Sequence, residues 1–252
     1  MTLLLLHGFT GSPESWDPIL HELSEPQHIL RPALTGHGGG EIARSFDEEV
    51  ERLARIVRWW ATGKAHVCGY SLGGRLALAL LCRHPDLFHR GTVIGATPGL
   101  SDEQARRRQV SWQEAWVRKL SDEGLESFVD AWERLPIWKG QEHLDVEIRR
   151  RQRAIRLDHD ALGLAHAMRY LDTAVMGDLR PELRHISVPT RLVVGEEDEK
   201  FRAIAEEMVS ASSFFRVVTV EGAGHNVPLA RPAEVAALLE PNESRESCPA
   251  FL

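Results

Sequence analysis

Gly69-Tyr70-Ser71-Leu72-Gly73 stands between an apolar run, Ala65-His66-Val67-Cys68, and a helix-forming one, Arg75-Leu76-Ala77-Leu78-Ala79-Leu80-Leu81. A serine flanked in this way sits on a sharp turn from strand to helix, with its hydroxyl standing clear of the sheet. Small residues at both ends of the pentapeptide let the backbone turn without side-chain clashes. The N-terminus of the following helix favours negative charge beside the hydroxyl. As a bare pattern G-x-S-x-G recurs by chance, so its weight comes from the strand before it and the helix after it.

A serine hydroxyl needs a histidine to take its proton, and that histidine needs an acid to fix its tautomer. With this kind of turn the chain order is serine, acid, histidine, the acid following a late strand. Thr190-Arg191-Leu192-Val193-Val194-Gly195 reads as that strand, followed by the loop Glu196-Glu197-Asp198-Glu199-Lys200. The next strand, 214–220, ends in Glu221-Gly222-Ala223-Gly224-His225-Asn226. Ser71, Asp198 and His225 are therefore the expected catalytic residues. Glu196 and Glu197 compete for the acid's role. Asp198 is favoured because it lies a little beyond the strand end, where a side chain can turn back toward His225.

An oxyanion needs two donors. The backbone N–H of Leu72 is one; the other is expected from Phe9, in the string His7-Gly8-Phe9-Thr10-Gly11 that ends the apolar run Leu3-Leu4-Leu5-Leu6.

The remaining chain sets the frame. A chain of 252 residues, 43% hydrophobic and 27% charged, is that of an ordinary globular protein. No apolar run approaches membrane-spanning length and no cleavable signal is visible, so a cytoplasmic protein is expected. The formal charge of −7 argues against nonspecific nucleic-acid binding. Three cysteines without metal spacing suggest neither a disulfide framework nor a metal site. No metal or cofactor is expected, and a monomer is favoured.

Strands near 3–6, 27–31, 65–70 and 91–96 alternate with helices near 13–24, 46–61 and 73–84, which predicts an α/β fold: a mostly parallel sheet covered by helices on both faces. From about 97 to 185 charged helical segments replace strands and read as an inserted helical cap. Residues 1–96 and 186–240 then form the core, with a last helix near 232–240, and 241–252 reads as a flexible tail.

The cap is rich in arginine, with clusters at Arg106-Arg107-Arg108 and Arg149-Arg150-Arg151-Arg153-Arg156. A guanidinium fork matches carboxylates, so some could serve an anionic substrate; many Asp and Glu share the segment, and most of these arginines should belong to solvated, paired faces. Arg75 is distinct, one turn into the helix after Ser71. Trp112, Trp116, Trp132 and Trp138 read as packing, with Trp132 near Pro136 as the candidate for a pocket wall.

Together the strings above, with Trp16, Gly36-His37-Gly38, Gly74-Arg75, Pro98-Gly99-Leu100, Asp198-Glu199-Lys200-Phe201-Arg202-Ala203 and Ala223-Gly224-His225-Asn226, resemble the α/β-hydrolase-fold 2-succinyl-6-hydroxy-2,4-cyclohexadiene-1-carboxylate synthases of menaquinone biosynthesis. The resemblance spans Thr2 to about Glu240. It implies a lyase that expels pyruvate, with Ser71 acting as a base rather than forming an acyl-enzyme. It also implies a small-molecule polycarboxylate substrate. Arg75, Arg156 and one of Arg106 to Arg108, taken as Arg106 or Arg108, would bind its carboxylates, while Tyr70 and Trp132 would line the pocket. Members usually begin with a strand pair ahead of the His-Gly strand, so a shortened sheet edge is expected here. Two other classes use the same scaffold: a serine esterase or thioesterase, and a noncatalytic ligand receptor, against which the intact triad counts.

Overall fold

The computed structural model describes residues 1–24, 27–38 and 42–240. The expected tail, with Cys248, lies outside the described residues.

Six strands form one sheet in the order β2-β1-β3-β4-β5-β6, and every pairing is parallel. They are β1 (Thr2–Leu6), β2 (His28–Leu30), β3 (Ala65–Tyr70), β4 (Phe88–Ile94), β5 (Thr190–Gly195) and β6 (Phe215–Val220). Three-residue β2 forms the edge beyond β1. All residues of β1 and β3 are buried, as expected for strands covered on both faces.

The covering follows the two-residue period of a strand. Leu4, Leu6, Val67, Val93, Leu192 and Val194 pack into one core with α2 (Phe46–Trp60), α3 (Leu72–Arg83) and α9 (Glu199–Val209). Their neighbours Leu3, Leu5, Cys68, Ile94 and Val193 face the opposite core, with Trp16, Ile19 of α1 (Asp17–His21) and Val235 and Leu239 of α11 (Pro232–Leu239). Helix α2 shows why these segments fold as they do. The Ser45 hydroxyl accepts the Glu48 N–H at its start, and Val50, Leu53, Ala54 and Val57 recur on one buried face. The segment expected as a helix near 13–24 is instead a 3₁₀ turn, Pro13–Trp16, followed by short α1; Pro13 and Pro18 sit in the first turns of the two pieces, where a missing N–H is tolerated.

Between β4 and β5 the chain contains only helices and turns: α4 (Glu103–Arg118), α5 (Gly124–Trp132), α6 (Val146–Leu157), α7 (Ala161–Leu171) and α8 (Arg180–Leu183). A third apolar cluster lies among them, built from Val117, Leu120, Phe128, Val129, Trp132, Trp138, Leu164 and Met168. Helix α7 ties it to the sheet, since Ala167 and Leu171 pack into the α2–α3 core. Short α10 (Val227–Ala230) precedes α11. Cys68 is buried and Cys82 partly so, and both are free thiols.

Candidate active site

The carboxyl ends of β1, β3, β5 and β6 carry the candidate residues. Ser71 follows β3 directly, with φ +52 and ψ −107. It is one of only two non-glycine residues with positive φ among the described residues, the other being Thr10 in the loop after β1. Such backbone is held only when its surroundings over-determine it. Here the Ser71 N–H donates to Ile94 O (2.8 Å), the Gly73 N–H to His7 O (3.1 Å) and the Arg75 N–H to Ser71 O (3.0 Å), so the turn is pinned to β4, to the loop after β1 and to its own helix.

Asp198 ends the turn after β5. One carboxylate oxygen caps α9 by accepting the Phe201 N–H (3.3 Å). The other accepts the Nδ1–H of His225 (2.8 Å), and with that proton fixed, His225 Nε2 accepts the Ser71 hydroxyl (3.3 Å). The competing acids point elsewhere: Glu196 and Glu197 are exposed, and the Glu196 carboxylate accepts the Gly222 N–H. The two loops meet because Gly195 has no side chain. A Cβ there would lie 2.2 Å from the carbonyl oxygens of Ala223 and Gly224. The His225 ring is buried and packed against Phe201 (4.5 Å between ring centres), Tyr70 (5.5 Å) and Trp138 (6.1 Å).

The loop after β1 closes the other side. A Cβ on Gly8 would lie 2.8 Å from the Tyr70 ring and 3.6 Å from Ser71 Cβ, which sets that backbone against the serine. Gly8 O accepts both His7 Nδ1–H (2.9 Å) and the Gly11 N–H (3.0 Å). Within a peptide unit N–H and C=O point opposite ways, so the N–H of Phe9 is directed away from His7. No acceptor among the described residues is paired with the N–H of Phe9 or of Leu72. His7 Nε2 accepts the Leu34 N–H (3.2 Å), so the ring works as a neutral imidazole. Burial pulls its pKa to about 4.

Ser71 and His225 open onto a cavity of about 490 Å³, walled by Phe9, Tyr70, Trp112, Trp132 and Trp138. Its cations are Arg75, Arg180 and Lys200. Arg75 donates to Leu171 O (2.7 Å), and burial pulls its pKa to about 10, opposed by the charge of Asp172. Arg180 is occupied by Glu207 (2.7 Å) and Asp178 (3.0 Å). Lys200 has no carboxylate partner among the described residues, and its ammonium sits 5.3 Å from the Phe201 ring centre. A second cavity of about 160 Å³ adjoins behind Phe9, Tyr70 and Trp138 and is lined by Trp16, Ile155, Arg151 and Arg156. Arg156 is buried, donates to Glu133 (2.7 Å) and lies 5.1 Å from the Trp138 ring centre. The Tyr70 hydroxyl and the indole N–H groups of Trp132 and Trp138 are buried without a partner among the described residues.

Arg106 and Arg108 are not brought to either cavity. The Arg106 guanidinium is taken up by the carbonyls of Leu100 (2.8 Å), Ala174 (3.1 Å) and Met176 (3.4 Å), which staples α4 to the turn after α7. Arg108 is exposed, with Asp102 3.7 Å away. Neither Trp138 nor Lys200 stands out in the sequence as a site residue. Trp138 looks like any other packing tryptophan in a helical segment, and the only pointer to Lys200 is its place in the run after Asp198.

Residues 3–238 match the alpha/beta hydrolase family. The 2-succinyl-6-hydroxy-2,4-cyclohexadiene-1-carboxylate synthase of Enterobacter sp. (strain 638) is 33% identical over 240 residues, covering 94% of this chain and 89% of that protein. The chain belongs to this synthase family of alpha/beta hydrolases. The solved structure of MenH from S. aureus superposes with a TM-score of 0.90 at 28% identity, over 95% of this chain and 91% of that one. An enol-lactonase from Burkholderia xenovorans LB400, at TM-score 0.77 and 22% identity over 94% of this chain and 89% of that one, shares the fold. Synthase-family membership makes the chain an enzyme with a lyase's chemistry on a hydrolase scaffold. No helix among the described residues is long and apolar enough to cross a membrane.

Proposed function

We propose that this chain eliminates pyruvate from 2-succinyl-5-enolpyruvyl-6-hydroxy-3-cyclohexene-1-carboxylate to give 2-succinyl-6-hydroxy-2,4-cyclohexadiene-1-carboxylate, with Ser71 as the proton-abstracting base. The observation that carries the reading is the chain of hydrogen bonds from Ser71 through His225 to Asp198, opening onto a cavity lined with cations. Comparing the ring of substrate and product locates the chemistry. The double bond at carbon 3 becomes a 2,4-diene, so the proton leaves carbon 2, which bears the succinyl group, and the ether oxygen leaves carbon 5.

His225 takes the Ser71 proton as the serine oxygen takes the ring proton. The electron pair moves onto the succinyl carbonyl as an enolate, held by the N–H groups of Phe9 and Leu72. Its collapse shifts the ring double bond and breaks the carbon–oxygen bond, expelling the enolate of pyruvate, which takes up the proton held by His225 to become pyruvate and leaves the imidazole neutral again. No bond forms between Ser71 and substrate. Three carboxylates on the substrate give the cations a purpose an uncharged ester would not: Arg75 and Lys200 in the larger cavity, Arg156 behind Tyr70 and Trp138.

The test offers the enolpyruvyl substrate to wild type and Ser71→Ala and measures pyruvate, with nitrophenyl esters in parallel. Rapid pyruvate release by wild type alone is expected. Equal, slow release by both proteins overturns the reading, and enzyme-like ester turnover without pyruvate marks an esterase.

A further inference from the structure

His37 lies buried in the loop after β2, away from the substrate cavity, and makes two hydrogen bonds of opposite sense. Its Nδ1–H donates to Thr35 O (3.1 Å), and its Nε2 accepts the Thr10 N–H (3.1 Å). Only the Nδ1–H neutral imidazole can do both. Burial first, then the neighbouring rings of His7 and His159, hold its pKa well below the ordinary value. The ring meets Phe9 edge to face (5.4 Å, 90°) and contacts His7 (5.0 Å) and His159 (5.3 Å).

Thr10 is the point of leverage. Its φ of +62 is unfavourable for a β-branched residue, and the residue is buried, so its amide needs a protein acceptor. His37 is that acceptor. Two peptide units flank Phe9: His7 fixes the one between Gly8 and Phe9 through Gly8 O, and His37 fixes the one between Phe9 and Thr10 through the Thr10 N–H. With both planes held, Phe9 cannot rotate its N–H out of the cavity.

We infer that His37 is a positioning residue for the oxyanion donor, accepting the Thr10 N–H so that the Phe9 N–H stays aimed at the developing enolate. This rests on the proposed proton abstraction. His37→Met and His37→Gln are near-isosteric, and only Gln places an acceptor where Nε2 stands. His37→Asn keeps a polar group but reaches only the Nδ1 side. Losing one oxyanion donor costs roughly 10²–10³ in turnover, so His37→Met and His37→Asn should each lower kcat for pyruvate release by about 10²-fold with KM within about two-fold of wild type. His37→Gln should stay within about five-fold. Rates are taken per mole of folded protein, measured by circular dichroism, because a purely structural role would lower the folded fraction and leave kcat unchanged. Equal losses in the Gln and Met variants, or wild-type kcat in His37→Asn, overturn the inference. Ser71→Ala in the same assay separates the two levels: wild-type release no faster than Ser71→Ala removes the reaction, whereas wild-type turnover with full activity in His37→Met and His37→Asn removes only the positioning role.

Discussion

Ser71, Asp198 and His225 each lie within five residues of a strand end, whereas the arginines at 106–108 and 149–156 ride on helices α4 and α6. In the first region the backbone decides. Strand register, two tight loops and a serine in the left-handed region leave the side chains one place to go. In the second region the neighbours decide. A helical arginine reaches whatever oxygen is nearest, and in α4 and α6 that is a backbone carbonyl or a nearby Asp or Glu. The place of a loop after a strand can therefore be read from the chain, and the partner of an arginine on a surface helix cannot.

The largest expected effect lies in the strand-end region. Ser71→Ala and His225→Ala should each lower kcat for pyruvate release by about 10⁴-fold or more, while Glu197→Gln, one residue from Asp198, should leave it within about two-fold. A comparable loss in Glu197→Gln would break the assignment of the acid. Arg75 comes next, because it stands on the elbow helix yet lines the cavity. Arg75→Met should raise KM for the tricarboxylate by about 10²-fold, in line with loss of a charge-assisted hydrogen bond of roughly 2–3 kcal/mol, and should leave turnover of a neutral ester nearly unchanged. Equal losses on both substrates would count against a charge-selecting pocket.

Buried His7 gives the strand-end region a pH signature. Its folded pKa, near 4, lies below the ordinary 6.5, so the unfolded chain takes up the proton first as pH falls. Its contribution is fully present above pH 6.5 and is lost between 6.5 and about 4, at about 1.4 kcal/mol per pH unit. Denaturant titrations across that window should show a shallower decline for His7→Gln than for wild type, and parallel curves would contradict the neutral role of the ring. The smallest effects belong to the arginines of α4. Arg106→Met should lower stability by about 1–3 kcal/mol, as buried carbonyls lose their donor, with KM unchanged. Arg108→Ala should stay within about 0.5 kcal/mol. A raised KM in either would return that arginine to the substrate.

How far the sequence could be read follows the same division. The alternation of strands and helices, the parallel sheet and the order serine, acid, histidine are written in apolar runs and turn residues, so each could be read before any coordinates. Asp198 is preferred to Glu196 and Glu197 for its place farther beyond β5, three residues after Gly195, and its carboxylate is the one that reaches His225. Strand β4 begins and ends earlier than 91–96, because the left-handed Gly95 stops it and Phe88 already belongs to the core. Arg106 could not be read, since two of its three partner carbonyls are 68 and 70 residues away and only the packing of α4 against the turn after α7 brings them near. Trp138 and the smaller cavity depend on how that helical segment lies over the loop after β1, which no local pattern encodes.

The most direct test of the central claim follows the intact mass of the protein during turnover of the enolpyruvyl substrate while pyruvate accumulates. A serine that removes a proton leaves the chain at its unmodified mass throughout, with pyruvate released by wild type and not by Ser71→Ala. An adduct on the peptide containing Ser71 that forms and decays in step with pyruvate would show a nucleophile instead and contradict the account.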